Sequence, residues 1–114
     1  MKTCKLLREQ VAAATGSKKA ELVLKNAQIV NVFTQSVETG DIAIEGGYIV
    51  GIGNYEGITE KDLGGAYVCP GFLDGHIHIE SSMTSPGEFE RAVVPHGTIA
   101  VITDPHEIAN VAGT

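Results

Sequence analysis

The stretch that decides the fold is Pro70-Gly71-Phe72-Leu73-Asp74-Gly75-His76-Ile77-His78-Ile79-Glu80-Ser81-Ser82-Met83. Phe72–Ile79 reads as a strand, mostly apolar but interrupted by Asp74, His76 and His78. Residues two apart on a strand project from one face and stand about 6.5–7 Å apart along it. Asp74, His76, His78 and Glu80 then share one face, while Leu73, Ile77 and Ile79 share the other. Two imidazoles at that spacing can converge on one metal ion with bonds of about 2.0–2.1 Å. Asp74 is placed to accept a ring N–H and fix a histidine tautomer. The plainer alternative is a strand whose histidines face solvent. Against it stands the cost of turning polar groups inward on an apolar strand with no charge to bind.

Downstream, Ser85-Pro86-Gly87-Glu88 is a helix start: Ser85 can cap, Pro86 fits the first helical position and Glu88 completes a capping box. Phe89, Ala92 and Val93 form one apolar face. Pro95 ends the helix and Gly97 turns the chain. Thr98–Thr103, nearly all apolar, reads as a parallel strand buried on both faces. Strand, helix and parallel strand make a βα unit that must continue into more sheet. A (β/α)₈ barrel takes roughly 250 residues. The 114 residues therefore read as α/β, the start of a TIM-like barrel cut from something longer.

Barrel enzymes assemble their sites at the C-terminal ends of the strands. That places Asp104-Pro105-His106-Glu107, after the second strand, on the same face as His76 and His78. His106 and Glu107 are candidates for catalysis, metal ligation or substrate contact, with Asp104 in support. Alternatively, Asp104 opens a turn and caps the next helix. Ser81 and Ser82 are candidate substrate contacts or turn residues. His96, at the far end of the helix, reads as a cap.

Upstream, residues 3–15 read as an amphipathic helix with Leu6, Leu7, Val11 and Ala14 on its apolar face and Gly16 as its stop. From Ala20 to Val32 the pattern suggests two short strands or one bent strand. Asp41–Glu45 and Tyr48–Ile52 are strands joined through Gly46-Gly47, and Gly53-Asn54 ends the second. Residues 20–68 read as a meander of short antiparallel strands. The expected organisation is a helix over 1–19, part of a small β-sandwich over 20–68, and the first barrel unit over 69–114.

Composition narrows the function. Hydrophobic residues make up 43%, enough for a packed core. Aromatics are only 5% and the net charge is −6, from 14 acidic and 8 basic side chains. That balance disfavours nucleic acid and anionic membrane surfaces as partners. Cys4 and Cys69 are too few and too far apart for a disulfide framework or a CxxC site. Lys2, Lys5 and Arg8 are followed by no apolar run, so neither a leader peptide nor a membrane span is expected, and the cytoplasm is the default location.

The segment "PGFLDGHIHIESSM" resembles the first barrel strand of the amidohydrolase superfamily, and the strands before it resemble the small β-sandwich of such enzymes. "HIHIESSM" followed by "PHGTIAVITDPHEIANVAG" is similar to the adenine deaminases in particular. The resemblance implies a site holding Mn(II) or Fe(II), with Zn(II) as an alternative, in which His76 and His78 are the first ligands. It implies hydrolytic deamination of adenine to hypoxanthine and ammonia, the remaining ligands and general acid/base coming from later strands. It leaves homo-oligomerisation open. Glu80 stands where relatives acting on acidic substrates carry an arginine, so its carboxylate is expected to accept N–H groups of a neutral purine. Other amidohydrolases, acting on cyclic amides or N-acyl groups, are the competing enzymes. The third reading is an inactive piece that at most binds metal.

Overall fold

The computed structural model describes residues 3–113, which fall into two compact units, Met1–Cys69 and Pro70–Thr114. Met1, Lys2 and Thr114 lie outside the described residues, as do the side chains of Val111 and Ala112.

The first unit opens with helix α1, Cys4–Ala14, capped by Thr3, whose hydroxyl accepts the Leu6 N–H. Thr15 closes it and Gly16 follows at φ 71°, a left-handed turn that glycine adopts without strain. The helix does not bury the face expected of it. Leu7 and Val11 are 46% and 61% exposed, whereas Gln10 and Ala13 are buried. The reason is local: Ala13 is small enough for close approach, and the Gln10 amide donates to the Glu45 carbonyl at 3.2 Å. Lys18, bridging Glu9 and Glu45, fastens the same side.

Five strands follow: β1 (Ala20–Asn31), β2 (Ser36–Glu45), β3 (Tyr48–Gly53), β4 (Gly57–Asp62) and β5 (Tyr67–Val68). They form one sheet ordered β3-β2-β1-β4, with β5 also beside β1. The β1–β2 and β2–β3 pairs are antiparallel, but β4 and β5 run parallel to β1. The expected antiparallel meander is thus a mixed sheet. Within the first unit it is a single sheet with a helix.

Strand β1 is the bent strand of the two alternatives. Its register with β2 slips by one residue between Leu24 and Ala27, so Lys25 and Asn26 together oppose Asp41. Asn26 takes φ 56°, a conformation open chiefly to glycine and asparagine. The slip reverses which residues face which side. Before it, Val23 packs with Ala13, Ala20 and Ala43 against Val50 and Tyr55. After it, Ala27 and Ile29 join Leu24 and Ile42 in a second cluster with Ile44, Leu63 and Val68. Asp41 pins the bulge, accepting from the Lys25 ammonium, the Asn26 N–H and the Tyr55 N–H.

The second unit contains β6 (Phe72–Ile77), α2 (Pro86–Val93), β7 (Thr98–Thr103) and α3 (His106–Ala112). Strands β6 and β7 pair in parallel, as expected for a βα unit. Ser85 caps α2 by accepting the Glu88 N–H at 3.4 Å, while Glu88 turns to Arg91 instead of closing the capping box. A 3₁₀ turn, Val94–His96, carries the chain to Gly97 at φ 96°. The strand β7 is not buried on both faces: Ile99 and Ile102 are 68% and 66% exposed. Among the described residues no helix is long and apolar enough to cross a membrane.

Candidate metal centre

The strand expected over Phe72–Ile79 stops at Ile77, and His78 begins a 3₁₀ turn over Ile79–Ser82. The pairing of β6 with β7 also slips between Asp74 and Ile77. Strand parity therefore does not carry through from Asp74 to Glu80. The Asp74 carboxylate accepts the backbone N–H of His76 at 3.1 Å, not a ring N–H as expected of it. It stabilises the irregularity rather than orienting an imidazole.

The turn has a consequence that parity alone does not give. It folds Glu80 back over His78, while Met83 ends it in a left-handed conformation at φ 57°. The chain leaving β7 brings His106 to the same place. One nitrogen each from His78 and His106 and one oxygen from Glu80 lie within 4.8 Å of one another. His76 stands beside this group, its ring edge-on to His78 with centroids 5.1 Å apart, and the His78 and His106 rings are 5.6 Å apart. Of the two expected ligands, His78 is inside the group and His76 is exposed at its rim.

The donor set can be tested against a divalent ion. Both carboxylate oxygens of Glu80 are buried and neither has a hydrogen-bond partner. A buried carboxylate left so is costly unless a cation meets it. His78 Nδ1 lies 3.5 Å from its Oε1. That is long for a charge-assisted hydrogen bond but close to the ~3.4 Å that separates two tetrahedral ligands with ~2.1 Å bonds. Drawing in the third donor needs movement on the order of an ångström. Two imidazoles and one carboxylate suit zinc, manganese or iron(II) alike. The residues fit the group.

The surrounding charges agree with this arrangement. Asp104 Oδ1 lies 3.0 Å from His106 Nδ1. This bond raises the His106 pKa above its ordinary value and lowers that of Asp104. Glu107 Oε1 is 3.9 Å from His106 Nε2, at the edge of the group.

The other candidates sort differently. The Ser81 backbone N–H donates to the His78 carbonyl and the Ser82 hydroxyl to the Ile79 carbonyl, both bonds within the turn. Asp104 does not cap α3, whose N-cap is Pro105 with no side-chain bond. His96 Nδ1 meets the Ala92 carbonyl at 2.9 Å, the capping contact expected of it. One polar group escaped sequence reasoning. The Thr103 hydroxyl is buried without a partner at the C-terminal end of β7, and nothing in "TIAVIT" distinguishes it from the threonine that opens the strand.

Residues 67–114 match the model of the amidohydrolase family. Over nearly its whole length the chain is similar to adenine deaminases. The chain is 60% identical to adenine deaminase 2 of Carboxydothermus hydrogenoformans over 96% of its own length and 19% of that protein's. It is likewise 60% identical to the adenine deaminase of Geobacillus kaustophilus, over 94% of this chain and 18% of the relative. The chain thus spans about a fifth of the relatives it matches. Among solved structures it is similar to the L-hydantoinase (dihydropyrimidinase) of Arthrobacter aurescens, with a TM-score of 0.58 and 21% identity, over 75% of this chain and 21% of that one. At that identity the likeness concerns the fold alone.

Proposed function

We propose that the chain is the N-terminal part of an adenine deaminase, which hydrolyses the C6 amino group of adenine to give hypoxanthine and ammonia. The observation that carries this reading is 60% identity to an adenine deaminase over 96% of the chain. A barrel completed by further strands, a cytoplasmic location and a role in purine salvage belong to the same proposal.

His78, Glu80 and His106 would hold a divalent ion, Mn(II) or Fe(II) in preference to Zn(II), with His76 as the next donor outward. Such an ion supplies Lewis acidity and activates water near neutral pH. Glu107 is exposed beside the group and is the candidate for passing a proton to the departing amine. Asp104 supports His106. Glu80 moves from the substrate contact expected of it to the metal, and Ser81 and Ser82 shape the turn that puts it there.

The test is direct. The protein encoded by the complete reading frame, loaded with Mn(II), should release ammonia from adenine with stoichiometric hypoxanthine. Ring-opening of a cyclic amide in its place, with no ammonia from adenine, would overturn the reading. The 114-residue chain by itself is expected to show no deamination above background.

A further inference from the structure

We propose that Asp104 is a positioning residue that fixes the tautomer of His106, leaving Nε2 as the nitrogen offered to the metal group. This rests on the reading of His78, Glu80 and His106 as ligands. It adds which atom of His106 binds and what makes that atom available.

The argument begins with the backbone. Pro105 separates the two residues and its ring restricts φ, here −88°, which narrows the spacings open to Asp104 and His106 across the two intervening peptide bonds. Asp104 is left without the capping role its position invites, because α3 takes Pro105 as its N-cap with no side-chain bond. Its carboxylate goes to the ring instead, with Oδ1 3.0 Å from Nδ1. A carboxylate accepts only, so Nδ1 must carry the proton. The lone pair of the neutral ring is then on Nε2. The free histidine side chain in water favours the opposite tautomer, so the Asp104 bond works against an intrinsic preference. The Nδ1–H form also orients the ring, since a hydrogen bond at one nitrogen aims the other. Carboxylate partners of this kind commonly accompany ligating histidines. Among the ring contacts of the described residues, His76 meets only His78, whereas His78 meets both His76 and His106. Asp104 bonds the third ring, which arrives from a separate strand.

The experiment reads both atom and affinity. In the metal-free protein with ¹⁵N-labelled histidine, above the His106 pKa, the ring of His106 should show the Nδ1–H pattern. Asp104→Ala should shift it toward Nε2–H and weaken Co(II) binding by about 10–100-fold. Asp104→Asn, which keeps an acceptor oxygen, should retain the Nδ1–H pattern and lose less affinity. Asp104 is 62% exposed, so both variants are expected to fold. An Nε2–H ring in the unaltered protein, or an Asp104→Ala variant with unchanged tautomer and unchanged Co(II) affinity, would refute the assignment. Absence of Co(II) binding in the unaltered protein would sink the metal reading, while the tautomer of the metal-free ring would still decide the role of Asp104.

Discussion

His78 Nδ1 and Glu80 Oε1 face each other at 3.5 Å across one 3₁₀ turn, and neither oxygen of Glu80 has a hydrogen bond. Two residues of the same short segment thus present a donor pair whose spacing suits a shared ion better than a direct bond. The pair follows from a turn, and if it holds the proposed ion a single substitution in it should change metal affinity.

Glu80→Gln replaces the anionic donor by a neutral one of the same shape. Mn(II) affinity should fall on the order of 100-fold, measured by titration calorimetry and by retained metal after desalting. His78→Ala should cost as much. His76→Ala should cost clearly less, because His76 lies outside the group of three. Equal losses for His76 and His78 would show that the rim histidine is a full ligand.

Much of this site was legible from residue types, and less of it from spacing. His78, His106 and Asp104 stand out by chemistry and by position after a strand. The placing of Glu80 against His78 and His106 was not legible, because parity along Phe72–Ile79 assumes a strand that in fact ends at Ile77. Where a strand ends depends on its partner's register, here the slip against β7, and one strand's sequence does not contain that. The same limit explains the sheet of the first unit. The parallel alignment of β4 and β5 with β1 is a long-range choice, whereas the β2–β3 hairpin at Gly46-Gly47 is local and was readable.

Asp41→Asn should destabilise the first unit by about 1–3 kcal/mol, since it removes the charge from a buried group that accepts two backbone N–H bonds and the Lys25 ammonium. Chemical denaturation of the variant and the unaltered chain would measure it. A change below about 0.5 kcal/mol would mean the bulge is held by its neighbours alone.

The same pair sets a pH profile. Burial pushes the Asp41 pKa up, but the Lys25 bond and the two backbone N–H groups outweigh it, so the folded value lies below the ordinary 3.8. Its stabilisation is full above 3.8 and is lost as pH falls through the lower folded value. Lys25 is raised above 10.5, chiefly by its bond to Asp41, so its contribution holds below 10.5 and fades as pH rises through the higher folded value. Thermal unfolding should therefore show a plateau between those limits, and in Asp41→Asn the acid-side fall should shrink.

Gly51→Ala should loosen α1. A Cβ at Gly51 would collide with the Tyr55 hydroxyl, and that hydroxyl donates to the Ala14 carbonyl at the end of the helix. Moving the ring aside should cost about 1–3 kcal/mol, and Tyr55→Phe, which removes only the bond, about 1 kcal/mol. Hydrogen exchange at the last turn of α1 should quicken in both. Unchanged exchange in Tyr55→Phe would show that packing alone holds that turn.

The extra residue at Lys25-Asn26 makes β1 a strand of two halves that answer to opposite sides of the sheet. Removing Asn26 would not merely shorten the strand. It would force one half to present its charged and polar residues where its apolar ones now sit, and the two clusters could not both be satisfied by any register. The count of residues between Val23 and Ala27 is consequently less negotiable than their identities, and length variation among relatives should avoid this segment while side chains on either flank exchange freely within their size and polarity.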